Sequence, residues 1–64
     1  MNKARLRYEM AIQNISVGKM CEALGISRSA FYRKCSEKSE FTLTEIQKIM
    51  DFLHLKSPVG IFFT

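Results

Sequence analysis

Polar side chains suited to contact with nucleic acid recur at helical spacing in the segment 27–38. The set contains arginines, lysines, serines and one tyrosine: Ser27, Arg28, Ser29, Tyr32, Arg33, Lys34 and Lys38. Arginine donates two hydrogen bonds to guanine, serine bonds to several base edges, and tyrosine contacts a thymine methyl group or donates to phosphate. These residue types predict a DNA-binding surface. Alternatively, the helical residues of this set form only the solvated face of an amphipathic helix, and Lys38 lies in a solvated loop without contacting DNA.

The segment just before this set predicts a phosphate contact. A helix expected over residues 17–24 begins at Val17 and Gly18, whose free backbone amides and helix dipole favour phosphate. Gly18 lets a DNA backbone approach closely, and Lys19 adds positive charge. These three residues complete the candidate DNA-binding set.

The other reactive residue types do not form a catalytic or metal-binding pattern in the sequence. Cys21 and Cys35 are predicted to be small core residues, because zinc requires four ligands and His54 has no suitable spacing to them. Paired carboxylates, a nucleophile–base set and a glycine-rich phosphate loop are absent from the sequence. We therefore expect a protein that is not an enzyme and that uses no cofactor or metal.

Positive charge is concentrated in the first half of the 64 residues. The net charge is +4 and the isoelectric point is near 9.4. Residues 1–34 hold seven basic and two acidic groups, a balance of +5, whereas residues 35–64 hold three and four, a balance of −1. This distribution suits a polyanionic partner. Since the sequence shows no targeting segment and no run of about 18 apolar residues, we expect a cytoplasmic protein outside the membrane.

Short helices separated by capping and turn residues are predicted to position the candidate site. The expected helices run from a cap at Asn2 to about Gln13, over 17–24, over 28–35 and over 43–54, and Ser57-Pro58 predicts a last turn through Ile61 and Phe62. The hydrophobic content of 47% is enough for a globular core. The sequence therefore predicts an all-α fold, a compact bundle of four to five short helices that forms one domain over residues 1–64.

Apolar spacing predicts which helix faces are buried. The first helix is expected to bury Leu6 and Met10, with Tyr8 and Ile12 as a competing stripe. The fourth is expected to bury a longer stripe: Leu43, Ile46, Ile49, Met50 and Leu53. Thr42 and Glu45 have the spacing of a capping box at the start of this helix, and Phe41 with Ile46 has that of a hydrophobic staple.

The segment 17–35 has the composition of two helices that cross at a tight turn. Cys21 and Ala30 supply the small side chains needed where such helices touch, and Gly25 can adopt the positive φ that the turn requires. Ile26 and Phe31 are expected to fix the second helix to the core. The polar residues of 27–34 would then face outward.

With these residues in place, the chain resembles the lambda-repressor-like family of helix-turn-helix DNA-binding domains, in particular short phage and prophage repressor or Cro-type members. The resemblance spans most of the chain and rests on three blocks, residues 24–34, 41–46 and 61–63. It implies a five-helix fold whose second and third helices read DNA, operator binding, and dimers on palindromic sites. Two positions depart from the family pattern. Val17 replaces a glutamine that contacts phosphate, and Cys21 replaces a small alanine.

The resulting hypothesis is a sequence-specific transcriptional regulator, a phage or prophage repressor or Cro-like protein of a bacterial host. In this hypothesis helix 28–35 enters the major groove of double-stranded DNA. The competing hypothesis is a protein-interaction module of the same fold, of the antitoxin or anti-repressor type. The apolar tail Ile61-Phe62-Phe63 leaves two alternatives: it covers the protein's own core, or it forms a homodimer that binds a palindromic operator.

Overall fold

The computed structural model describes residues 1–63, and Thr64, the last residue of the predicted domain, lies outside them. Four α-helices follow one another: α1 (Lys3–Ile12), α2 (Val17–Leu24), α3 (Arg28–Cys35) and α4 (Leu43–Leu53). The described residues contain no strand and have principal extents of 25 × 23 × 20 Å. The predicted all-α bundle is confirmed. None of the helices in residues 1–63 is long and apolar enough to cross a membrane.

Local capping signals set the helix boundaries. Asn2, Ser16 and Ser27 each accept a hydrogen bond from the backbone N–H three residues later, at 3.0–3.1 Å. At α4 the Thr42 hydroxyl accepts from the Glu45 N–H at 3.1 Å, while the Glu45 carboxylate accepts from the Thr42 N–H at 2.9 Å. This reciprocal pair is the predicted capping box.

A core of side chains from all four helices and the C-terminal turn holds the bundle together. Its buried members are Leu6, Met10, Met20, Cys21, Leu24, Phe31, Cys35, Ile49, Leu53 and Ile61. A row of edge-to-face aromatic rings runs along one side, from Phe31 to Phe41 at 6.0 Å and from Phe41 to Phe62 at 5.7 Å between centroids. Such pairs add stability beyond their buried area. The row links α3 to the C-terminal tail.

The ends of α1 are hydrogen-bonded to the C-terminal half of the chain. The Asn2 N–H donates to the Ile61 carbonyl at 2.6 Å, and the Gln13 amide donates to the Leu53 carbonyl at 2.5 Å. The Gln13 bond satisfies one of the free carbonyls at the end of α4. These contacts position α1 from both ends.

Three sequence expectations require correction. Leu43 is 77% exposed rather than buried, because it lies in the first turn and about 90° from the centre of the buried face formed by Ile46, Ile49 and Leu53. The helix ends at Leu53, with His54 as a left-handed cap at φ 55°. The fifth helix that the family resemblance implies is a single turn in the described residues, as Ser57-Pro58 predicts. It closes with the Phe62 N–H donating to the Pro58 carbonyl at 2.9 Å, and Gly60 has φ 98°.

Candidate nucleic-acid interface

A glycine turn sets α3 at a fixed position relative to α2. Gly25 has φ 70°, a left-handed conformation that residues with a Cβ adopt at a cost. Its N–H donates to the Glu22 carbonyl at 3.3 Å, and the Ile26 N–H donates to the Cys21 carbonyl at 3.1 Å. The Cys21 thiol lies 3.8 Å from the Ser27 carbonyl, so the two helices meet closely at this small side chain.

The outer face of α3 carries most of the predicted DNA-binding residues. Phe31 and Cys35 are buried on the inner face. The exposed side chains at the start of α3, along its outer face and in the loop that follows are Ser27, Arg28, Ser29, Tyr32, Arg33 and Lys38. The Tyr32 side chain is 45% exposed, and its ring contacts Phe31 edge-to-face with 6.1 Å between centroids. The helix thus presents arginine, serine and tyrosine donors on one rigid surface.

The start of α2 lies beside this face. Ser16 accepts from the Lys19 N–H, whereas within residues 1–63 the amides of Val17 and Gly18 have no hydrogen-bond partner. Arg28 reaches from α3 to this helix end: a Cβ on Gly18 would lie 2.7 Å from its Nη2 atom. A guanidinium group and free amides therefore converge at one positively polarised point.

Gly18 has a neighbour that the sequence did not predict. The sequence predicts that this glycine admits a DNA backbone, and within the described residues the Arg28 side chain lies beside it. Gly18 therefore allows the two helices of the pair to share one basic site. Lys19, one residue later, is exposed at the same end of α2.

Lys34 is separated from the other basic residues by its contacts with α4. Its ammonium forms an ion pair with the Glu45 carboxylate at 2.7 Å and lies 5.9 Å from the centroid of the Phe41 ring. The two ion-paired side chains are only 16% and 13% exposed. The structure therefore places Lys34 in a contact between α3 and α4, away from the outer face of α3.

The environment of Glu45 favours its charged form. Burial raises the pKa of this carboxyl group, but hydrogen bonds from Lys34 and from the Thr42 N–H, together with the Lys34 charge, outweigh burial and lower the pKa below its ordinary value. The carboxylate therefore caps α4 and pairs with α3 at the same time.

Arg7 of α1 is a neighbour of the site that the sequence did not reveal. In the structure the Arg7 guanidinium carbon lies 5.9 Å from the centroid of the Tyr32 ring. Helical spacing places Arg7 at the edge of the buried Leu6–Met10 stripe, which indicates that it borders a packed surface. This spacing does not show that the neighbouring helix is α3.

The two cysteine side chains are buried, with free thiols. Burial raises the pKa of the Cys35 thiol, with the positive charges of Arg7 and Lys3 acting in the opposite direction. Within residues 1–63, no group of three or more histidine, cysteine or carboxylate side chains is arranged to hold a metal ion.

Comparison with known proteins identifies one family. A family model described as a Cro/C1-type HTH DNA-binding domain matches residues 5–58. The matched range contains α2, the Gly25 turn, α3 and α4, and most of α1. No curated protein and no solved structure matches the chain.

Proposed function

The chain belongs to the Cro/C1-type helix-turn-helix family of DNA-binding domains, and from this premise we propose that it is a sequence-specific transcriptional regulator, a phage or prophage repressor or Cro-like protein. In this proposal α3 enters the major groove of its operator. The carrying observation is that the exposed face of α3 adjoins the open start of α2, with Arg28 between them. A groove-reading helix beside a phosphate-binding helix end is the arrangement by which helix-turn-helix proteins bind DNA.

Distinct roles follow for the two helices. Ser29, Tyr32 and Arg33, exposed along α3, contact base edges, with Ser27 at the start of the helix. Phosphates bind at the start of α2 and beyond α3, through Val17, Gly18, Lys19 and Lys38. Arg28 takes part in both base and phosphate contacts, because its guanidinium lies between α3 and the start of α2. Lys34 is left out, since its charge is paired with Glu45.

The first test measures DNA affinity against salt. Neutralisation of several phosphates makes the affinity fall steeply between about 50 and 200 mM salt. Arg33→Ala should weaken operator binding by about 1–3 kcal/mol and relax sequence preference at one position. Lys56→Ala, which removes the same charge from an exposed site outside the helix pair, is the control.

Two outcomes would contradict this assignment. A uniform loss of affinity on all sequences would make Arg33 a phosphate contact rather than a base contact. No binding to mixed genomic fragments at about 50 mM salt would contradict DNA binding altogether. It would favour the competing function, a protein-interaction module of the antitoxin or anti-repressor type.

For the assembled state, the proposal is a two-fold dimer formed through the exposed part of the tail. Ile61 is 3% exposed and belongs to the protein's own core, and Phe62 is half-buried against Phe41. Phe63, at 55% exposure, and Val59 are the apolar surface that remains for a second copy. Two-fold symmetry would place two α3 helices about 34 Å apart on a palindromic operator.

Two experiments test the dimer: sedimentation of the protein, and selection of bound fragments from random DNA. A dimer predicts palindromic fragments with half-sites one helical turn apart, and Phe63→Ser should shift the protein toward monomer without unfolding it. A monomeric wild-type protein that selects single half-sites would contradict the dimer and leave the assignment of α3 in place.

A further inference from the structure

The Tyr32 ring contacts both a core side chain and a cation from another helix. It meets Phe31 edge-to-face, with 6.1 Å between centroids and 68° between ring planes. The Arg7 guanidinium carbon lies over the ring, 5.9 Å from its centroid. A cation at this distance is attracted to the ring face. The side chain in the middle of the DNA-facing surface thus has its position set partly by α1.

The charge of Arg7 is available for a ligand. Among the ion pairs of residues 1–63, Arg7 has no carboxylate partner, whereas Arg5 on the same helix pairs with Glu9 at 3.9 Å. Among the described residues, the Arg7 guanidinium donates no side-chain hydrogen bond, so its N–H donors are open. These donors match the oxygens of a phosphate group.

Arg7 also lies on the side of α1 nearest α3. Lys3 and Arg7 share one margin of this helix, one turn apart, while Arg5 and Glu9 share the opposite margin. The charges of Arg7 and Lys3 both act on the Cys35 thiol at the end of α3. Positive charge therefore continues from α3 onto α1.

We propose that Arg7 is a DNA-contacting residue of α1, which binds a backbone phosphate beside the bases reached by α3 and at the same time positions Tyr32. This inference rests on the proposed function and extends the interface to a third helix. The geometry that carries it is the unpaired guanidinium on the ring of an exposed groove-facing tyrosine.

The experiment compares the salt dependence of operator binding for four proteins: wild type, Arg7→Gln, Arg7→Lys and Arg5→Gln. Removal of one phosphate contact should lower the slope of log affinity against log salt by about one. We expect this loss for Arg7→Gln, with about 5- to 20-fold weaker binding near 150 mM salt. Arg7→Lys should keep the slope because it keeps the charge. Arg5→Gln is the matched control and should leave the slope and the affinity unchanged.

A second measurement tests the positioning of Tyr32. If Arg7 acts partly through the ring, Arg7→Gln should weaken binding less in a Tyr32→Ala background than in the wild type. Thermal unfolding of each variant confirms that these exposed substitutions leave the fold intact. Equal slopes for Arg7→Gln, Arg5→Gln and wild type would overturn the inference while the wild-type affinity still supports DNA binding. Failure of the wild type itself to bind would overturn both proposals.

Discussion

At the scale of single residues, Gly18 and Arg28 depend on each other. A Cβ at position 18 would lie 2.7 Å from the Arg28 Nη2 atom and 3.6 Å from its Cζ atom. No real pair of atoms of this kind remains so close, so one group must move. The Arg28 group that moves is the end of a flexible side chain, and the helix backbone can therefore stay where it is.

Gly18→Ala should separate stability from binding. Alanine has the higher helix propensity, so the free energy of unfolding should stay the same or rise by up to about 1 kcal/mol. DNA affinity should fall, because the Arg28 guanidinium is displaced from the start of α2. Chemical denaturation and fluorescence anisotropy measure the two quantities. In an Arg28→Ala background the same substitution should have no further effect on affinity; an equal loss in both backgrounds would contradict the dependence on Arg28.

At the scale of helices, the contact between α3 and the start of α4 is an ion pair rather than an apolar contact alone. Lys34 and Glu45 are both mostly buried, and Glu45 also completes the capping box. When one member of such a pair is removed, the other is left desolvated without a partner. The orientation of α3 therefore depends on a charge outside its exposed outer face.

Lys34→Met should destabilise the fold by about 1–3 kcal/mol, as expected for the loss of a hydrogen bond between charged groups. The double variant Lys34→Met/Glu45→Gln should lose less than the sum of the single variants. The salt slope of DNA binding by the folded protein should not change. Lys38→Met is the matched control: it should leave stability unchanged and reduce the slope. A reduced slope for Lys34→Met would show that Lys34 contacts DNA after all.

The same carboxylate predicts a loss of stability in acid. Because the folded pKa of Glu45 is depressed, its contribution is fully present above the unfolded pKa of about 4.3 and is lost as the pH falls through the folded pKa. The Tm difference between wild type and Glu45→Gln should therefore be large at pH 7 and shrink in strong acid. Some acid sensitivity should remain in the variant, since the α-amino group of Met1 also lowers the pKa of Glu37. A Tm difference that is independent of pH would contradict this role of Glu45.

The sequence predicts the helices better than their contacts, for a physical reason. The cap side chains of Ser16, Ser27 and Thr42 accept hydrogen bonds from amides three residues later, so four consecutive residues are enough to predict where each helix begins. Lys34 finds its partner eleven residues later, in another helix. Arg7 and Tyr32 meet only because α1 packs beside α3. Helical spacing shows that a residue borders the core but does not identify the neighbouring helix.

At the scale of the whole molecule, the C-terminal tail completes a very small core. Ile61 is buried, and its carbonyl accepts from the Asn2 N–H at the start of α1. A domain of this size has a core that rarely supplies more than about 3–5 kcal/mol of net stability. The first and last turns of the described chain are thus joined by a contact that the fold depends on.

Ile61→Ala should therefore unfold a large fraction of the protein. Truncation of a buried isoleucine costs about 2–5 kcal/mol, which is comparable to the whole stability of such a domain. Ile12→Ala removes the same side chain from an exposed position on α1, and it should change the stability by less than about 0.5 kcal/mol. Circular dichroism during denaturant titration compares the two variants. Similar losses for both would contradict the assignment of Ile61 to the core.

The close approach of Arg28 to Gly18 has a consequence for protein engineering. Under the proposed function, a graft of α3 alone is the simplest attempt to transfer operator preference to a relative. In this protein such a graft would carry the arginine but leave behind the glycine that makes room for it. Under the proposed function, Gly18 must therefore be transferred together with α3, because a recipient with a larger residue at position 18 would acquire Arg28 without the space that this side chain occupies.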